Sequence, residues 1–319
     1  MMSPTSDEIQ IRVRQLLSRE TLFREGMGRE GMGREGIRRE GMGVRVISHL
    51  SGGYTNDNYL VEIDQQRYVA RLGSSVARLL GVDRHREQQV LRAASGANLI
   101  PEIMAFAVEG GDMLSRYVAA ESAADRLEGN SGLSGDARTD INGLARLLRR
   151  AHALDIATLD SAITDADPRD WIMRYVASAE TLGFVWPDQV REALPNLGRI
   201  AYASTALTHH DVNPWNILHA TSGDLLLDWE YAGRGDPAFD LAGVCALWSF
   251  SEPQQTALLN GYGADDVLRS RLPDASWLFH LRELTWAGLM LAAGINRSEI
   301  AAQYTDQCAW LAGWFASCR

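Results

Sequence analysis

Lysine is absent from this chain of 319 residues; all 31 of its basic residues are arginine. A P-loop sets a lysine on its phosphates and a pyridoxal enzyme builds its Schiff base on one, so both classes are excluded. Any nucleotide site here must work with arginine. Cysteine is scarce: Cys245, Cys308 and Cys318 stand in neither paired nor metal-ligand spacing. That predicts reduced thiols in a cytoplasmic protein. The opening stretch MMSPTSDEIQIRVRQLL has no apolar signal core and reads as a capped helix starting near Ser6 or Asp7. No apolar run reaches bilayer length, so no membrane partner is expected. Positive charge is also in deficit. Against 41 acidic residues the net charge is −10, a surface that repels polyphosphate backbones and argues against nucleic acid as a partner.

What is present divides into blocks. Residues 24–43 repeat REGMG-like units, which twice spell GMGREG, formally a dinucleotide fingerprint. No apolar strand precedes them and glycine recurs too often for a helix to follow, so the reading is a solvated linker. Residues 1–43 are thus expected to be a helix plus a flexible connection. From Val44 the runs VRVISHL, NYLVEID, RYVARL, EIMAFAVE and DMLSRYVA predict five antiparallel strands, with one helix over about Asp83–Ala94. Beyond Val118 the periodicity turns helical, as in Ile141, Leu144, Leu147, Leu148 and Ala151. Helices are expected at 169–182, stopped by Gly183, at 187–203, and from about Pro237 onward. All nine tryptophans lie at or after Trp171. The layout is an α+β fold of two lobes, a β-rich one over 44–118 and a larger helical one over 119–319.

The chemistry gathers in HHDVNPWNIL, His209–Leu218, and LLLDWEYAG downstream. An Asp and an Asn five residues apart are commonly turn formers. Here His209, Asp211, Asn216 and Asp228 occupy, in order, the places of H-x-D-x-x-x-x-N and the metal-binding aspartate after the next strand. Phosphoryl transfer to an alcohol needs little else: a carboxylate for the hydroxyl proton, oxygen ligands for Mg²⁺, and a cation on the phosphates. With no lysine available, Arg71 near the end of the third strand is the natural cation, its planar fork suiting phosphate and carboxylate together.

The stretch HHDVNPWNILHATSGDLLLDWEYAGRGDPAFDLA, together with SGGYTNDNYLVE and RYVARL, resembles the aminoglycoside phosphotransferase and choline kinase superfamily, in particular bacterial choline- and thiamine-kinase-like members. The resemblance implies a protein-kinase-like fold and roles by position. Asp211 would be the base, with His209 propping the loop beside it. Asn216 and Asp228 would hold Mg²⁺. Arg71 would contact ATP phosphates and pair with Glu87. Gly52, Gly53, Thr55 and Asn56 would line the phosphates, Ser115, Arg116, Tyr117 and Val118 would face the adenine, and Asp240 would buttress the loop. His210 and Asn213 would be loop scaffolding. DWE in place of D-F-G, and a nucleotide loop unlike G-x-G-x-x-G, point to small-molecule rather than protein kinases.

The expected acceptor is a small cationic alcohol, which would want aromatic rings and a carboxylate. Tyr231, Trp248, Trp286 and Tyr304 are the candidate rings and Glu230 the candidate charge. Choline kinases of the superfamily carry an acidic residue ahead of the tryptophan aligned with Trp248. Leu247 stands there in this chain, which leaves thiamine or another amino alcohol open, and the acidic C-terminal lobe would also suit an aminoglycoside. Two rival readings are a nucleotide-binding pseudokinase with a regulatory role and an oxidoreductase built on GMGREG.

Overall fold

The computed structural model describes residues 4–18, 43–50, 54–127, 140–155 and 164–317. Residues 24–42 of the 24–43 repeat, Gly52, Gly53 and Cys318 lie outside the described residues. Helix α1 (Ser6–Ser18) is followed by strands β1 (Val44–Leu50), β2 (Asn56–Ile63) and β3 (Gln66–Gly73). Helices α2 (Ser75–Leu79) and α3 (Arg84–Gly96) then lead to β4 (Ile103–Ala107) and β5 (Asp112–Arg116). The five strands form one antiparallel sheet in the order β1-β2-β3-β5-β4. The single helix expected between β3 and β4 is two. Gly81, at φ +72°, separates them, and Asp83 caps the second by accepting from His85 N and Arg86 N.

Strand alternation sorts the sheet residues between two faces. Tyr59, Val61, Ile63, Tyr68, Ala70 and Leu72 fall on one face, where Ile9, Val13, Leu16 and Leu17 of α1 bury them. The spacing of those four residues is a helical stripe. Val69 and Arg71 fall on the other face, opposite Ser115 and Met113 in register. On that side Val90, Leu91 and Ala94 of α3 and Phe106 of β4 share one core with Leu144, Leu148, Trp229 and Leu241 of the second lobe. The lobes are therefore joined by packed side chains as well as by the chain itself.

The second lobe begins with β6 (Glu121–Ser122), α4 (Ala123–Leu127), α5 (Ile141–His152), α6 (Pro168–Thr181) and α7 (Asp188–Ala193). Four short strands follow: β7 (Ala206–Thr208), β8 (Ile217–Ala220), β9 (Gly223–Leu226) and β10 (Gly233–Gly235). Helices α8 (Pro237–Leu247), α9 (Glu252–Tyr262), α10 (Asp266–Ala292) and α11 (Ser298–Ser317) complete it. The helix expected over 187–203 ends early. After α7 the chain tightens into a 3-10 turn over Leu194–Arg199 and then extends. Pro195 cannot donate to the α-helical ladder and Gly198 weakens it, which accounts for the change. Gly183 stops α6 at φ +83°, as its sequence position suggested. Among the described residues no helix is long and apolar enough to cross a membrane.

The burial of α1 has a measurable consequence. Leu16→Ala should lower unfolding stability in a denaturant titration by about 2–5 kcal/mol, the usual cost of emptying a buried leucine site. A loss below about 0.5 kcal/mol, the range of surface changes, would show that α1 is not docked.

Candidate active site

Strand β7 delivers the chain into His209–Asn216 and β10 pairs beside it, Gly233 opposite Thr208. One buried carboxylate holds the loop's entry. Asp240, in the first turn of α8, accepts from the backbone N–H of His209 and of His210, each at 2.7 Å, and lies 3.0 Å from His152 Nε2. Burial works against its charge, but the His152 hydrogen bond and the neighbouring imidazoles hold it below the usual carboxylate range. His210 takes φ +66°, a left-handed conformation that a side chain adopts only when its surroundings fix it. Here Tyr202 Oη at 2.9 Å and the Trp171 ring do so, and burial pushes the imidazole down to about 3, so it is neutral.

His209 is also held neutral by burial. Its Nε2–H donates to Leu227 O at 2.8 Å and its Nδ1 accepts from Asp211 N at 3.2 Å. Both ring nitrogens thus serve backbone groups, one on the Asp211 side and one just before Asp228. The Asp211 carboxylate accepts from Asn213 Nδ2 (3.1 Å) and Asn216 Nδ2 (3.2 Å), while Asn213 also caps the turn Pro214–Asn216. Asn216 donates in addition to Asp211 O at 2.9 Å. With its nitrogen so engaged, its Oδ1 is the atom left to act as a ligand.

The facing wall is a chain of charges. Arg71, 3% exposed, sends Nη1 to Glu87 Oε1 at 2.5 Å and both Nε and Nη2 to Gly111 O, at 3.3 and 3.1 Å. Glu87 is fully buried and also accepts from Arg84 Nη1 at 2.6 Å. Arg84 in turn reaches Glu230 Oε2 (3.1 Å) and Asn56 Oδ1 (2.9 Å), and Asn56 Nδ2 donates to the same Glu230 oxygen at 2.8 Å. Burial opposes the charge on Glu87, but the two arginines overcome it and keep the carboxylate ionised. Arg84 was not among the residues singled out in the sequence. The only signal was its place three residues before Glu87, one helical turn away.

Asp228 closes the circle. Its Oδ1 lies 3.6 Å from Arg71 Nη1, is buried, and has no hydrogen-bond partner. Its backbone is left-handed at φ +61°. Burial, and then repulsion from Glu230, raise its carboxyl well above the ordinary range despite Arg71. A buried carboxylate oxygen without a partner, beside an amide oxygen and a second carboxylate, fits a hard divalent cation such as Mg²⁺. Among the described residues no three His, Cys, Asp or Glu side chains form a metal cluster; the donor set would be Asn216 and Asp228, with waters and phosphate completing it. Arg71, Asn216 and Asp228 all line a cavity of about 360 Å³ whose apolar lining includes Val69 and Ile103, with Met113 opposite Arg71.

The other expected positions sort as follows. Ser115, Arg116, Tyr117 and Val118 line the same cavity, although the Arg116 guanidinium turns outward to Glu102 at 2.8 Å. Thr55 is buried, and its carbonyl accepts from Ser74 Oγ at 2.6 Å. Glu230 is 2% exposed and committed to Arg84 and Asn56. Trp248 is a core residue whose Nε1 donates to Val212 O at 3.2 Å, supporting the loop from beneath. Tyr231 is buried beneath the Arg282 guanidinium. Tyr304 packs edge-on against Phe184. Trp286 meets Tyr54, from the loop before β2, edge-on at 5.6 Å.

A two-lobed fold with this cleft belongs to the kinase-like phosphotransferases, and comparison with known proteins agrees. Residues 46–274 match the model of the phosphotransferase enzyme family. The chain belongs to that family. It is 40% identical over 87 residues to a thiamine kinase of Shigella boydii, an alignment spanning 27% of this chain and 29% of that protein. Among solved structures, the choline kinase LicA from Streptococcus pneumoniae superposes with a TM-score of 0.64 at 18% identity, covering 84% of this chain and 94% of that one. A choline/ethanolamine kinase family protein from Mesorhizobium loti gives 0.64 at 18%, covering 96% and 94%. A spectinomycin phosphotransferase gives 0.54 at 13%, covering 81% and 88%.

The raised Asp228 carboxyl makes a signed prediction. A native pKa above the unfolded value, near 4, contributes stability at pH below that value and loses it as pH rises through the native one. Asp228→Asn should therefore raise the melting temperature of the ligand-free protein at pH 8. A melting temperature below wild type would mean that the carboxylate is not disfavoured in the native fold.

Proposed function

We propose that the chain transfers the γ-phosphoryl group of ATP to a hydroxyl of a small cationic alcohol. The observation that carries this reading is a cavity lined by Asn216, Asp228 and Arg71, with the Asp211 carboxylate held 3.2 Å from Asn216 Nδ2 and Asp228 3.6 Å from Arg71. Residues 44–118 would hold the nucleotide and 119–319 the acceptor. The apolar lining of the cavity, between β3, β5 and the segment 115–118, suits a flat base, and the ribose and phosphates would then run toward Arg71.

Asp211 orients the acceptor hydroxyl and takes its proton as the oxygen attacks the γ-phosphorus. The bond between that phosphorus and the bridging oxygen breaks, and ADP leaves with its electron pair. Asn213 and Asn216 fix the carboxylate for this task, and His209 holds the backbone on either side. Arg71 offers its fork to the phosphate oxygens while Glu87 prevents it from swinging away. Mg²⁺ at Asn216 and Asp228 would neutralise phosphate charge as it shifts toward ADP. Most of the rate enhancement in such a site comes from positioning and electrostatics.

The acceptor class rests on the relatives and on charge. A thiamine kinase and a choline kinase stand among the similar proteins, and both named acceptors pair a fixed positive charge with a primary hydroxyl. The net charge of −10 favours collecting such cations. An ATP-consumption screen over thiamine, choline, ethanolamine, homoserine and aminoglycosides tests the reading. Turnover with a cationic alcohol is expected. Turnover with aminoglycosides alone would move the acceptor class, and Mg-ATP binding with no turnover would favour the regulatory pseudokinase. Asp211→Asn should cut kcat by about 10²–10⁴ while leaving the Mg-ATP dissociation constant within about threefold; unchanged kcat would remove Asp211 as the base.

A further inference from the structure

Helix α1 lies outside the family match, which starts at residue 46, yet it reaches the site. Its buried stripe fixes it on the outer face of the sheet. From there Arg12 forks over the β4–β5 turn. Its Nε donates to Asp112 Oδ2 at 2.9 Å, its Nη2 to Gly73 O at 3.0 Å, and Nη2 also pairs with Asp112 Oδ1. Asp112 Oδ1 accepts from Gly73 N at 3.0 Å. The turn is therefore clamped onto the end of β3, two residues past Arg71. A Cβ at Gly73 would collide with the Gly110 carbonyl, so the two segments lie in direct contact. The next residue of the turn, Gly111, is the carbonyl that takes both Nε and Nη2 of Arg71. Gly111 is at φ +78°, and a side chain there would strike Arg84, so the turn that presents this carbonyl requires glycine at this position.

We propose that α1 belongs to the nucleotide site, with Arg12 acting as a positioning residue that aims Arg71 through Asp112 and the Gly110–Gly111 turn. Glu87 fixes one nitrogen of the Arg71 fork and Gly111 O fixes the other two, so the direction of the guanidinium follows the turn. The turn is held from outside the sheet by a helix that precedes the residues matched to the family. Arg12 touches neither nucleotide nor acceptor. Its effect on phosphate binding passes through the geometry of Arg71, and the inference rests on the reading of Arg71 as the phosphate cation.

The test is Mg-ATP binding to the full chain by titration calorimetry, with thermal unfolding run alongside. Arg12→Ala should weaken binding about tenfold, inside the ~100-fold that a misplacement of about 1 Å can cost. The acceptor KM should be unchanged. Arg12→Lys keeps the charge on Asp112 but cannot span Asp112 and Gly73 together, so it should fall between Arg12→Ala and wild type. It also supplies the reading if Arg12→Ala does not fold. Arg14→Ala, on the exposed side of the same helix, should bind as wild type. Wild-type affinity in Arg12→Ala, with weakened affinity in Arg71→Ala, would overturn the positioning role alone. Undiminished affinity in Arg71→Ala would overturn the reading of Arg71 and this inference with it.

Discussion

A buried charge has to find a partner, and in this protein that requirement runs in a line from the second lobe through the first and back. Asp228, Arg71, Glu87, Arg84 and Glu230 follow one another at 3.6, 2.5, 2.6 and 3.1 Å. Alternating signs satisfy every link except the first, where Asp228 Oδ1 stays without a hydrogen bond. Removing an interior member would strand its neighbours, at a cost of about 3–5 kcal/mol for a buried pair. The line therefore fixes α3 against β3 and both against the segment after β9. It also leaves one unsatisfied carboxylate oxygen at the place where a phosphate-bound cation would sit.

The His209–Asn216 loop depends on a second buried carboxylate. Asp240 collects two consecutive backbone N–H groups and an imidazole, and the loop it anchors holds His210 in a left-handed conformation. Asp228, across the site, is left-handed as well. Strained non-glycine backbone is sustained only by surroundings that over-determine it. Around His210 those surroundings are α8, β10 and the rings of Trp171 and Phe239. The loop and the charged line meet where Arg71 approaches Asp228, and Glu230, two residues on, ties them a second time.

Much of this was legible in the sequence because it is local. Alternation gave the five strands, and the spacing of His209, Asp211, Asn216 and Asp228 is a property of one loop and one strand. The absence of lysine pointed to Arg71, which the fold places between Glu87 and Asp228. What stayed hidden is nonlocal. Glu230 lies 146 residues from Arg84 and 174 from Asn56, so the sequence offered it as a candidate charge for an acceptor and could not show its place in the inter-lobe line. Trp248 read as a cage ring, but its indole serves Val212 O. The helix expected through 187–203 overlooked what Pro195 and Gly198 do to an α-helical ladder. The stripe on α1 marked an amphipathic helix without saying which surface it covers.

The central claim is that the loop and the charged line close on a magnesium-bound triphosphate. A crystal structure with Mg²⁺ and a non-hydrolysable ATP analogue tests it most directly. The account predicts the ion at about 2.0–2.1 Å from oxygens of Asn216 and Asp228, with the Arg71 fork on the phosphates and still paired to Glu87. A metal held by other residues, or an Arg71 turned away from the phosphates, would contradict it.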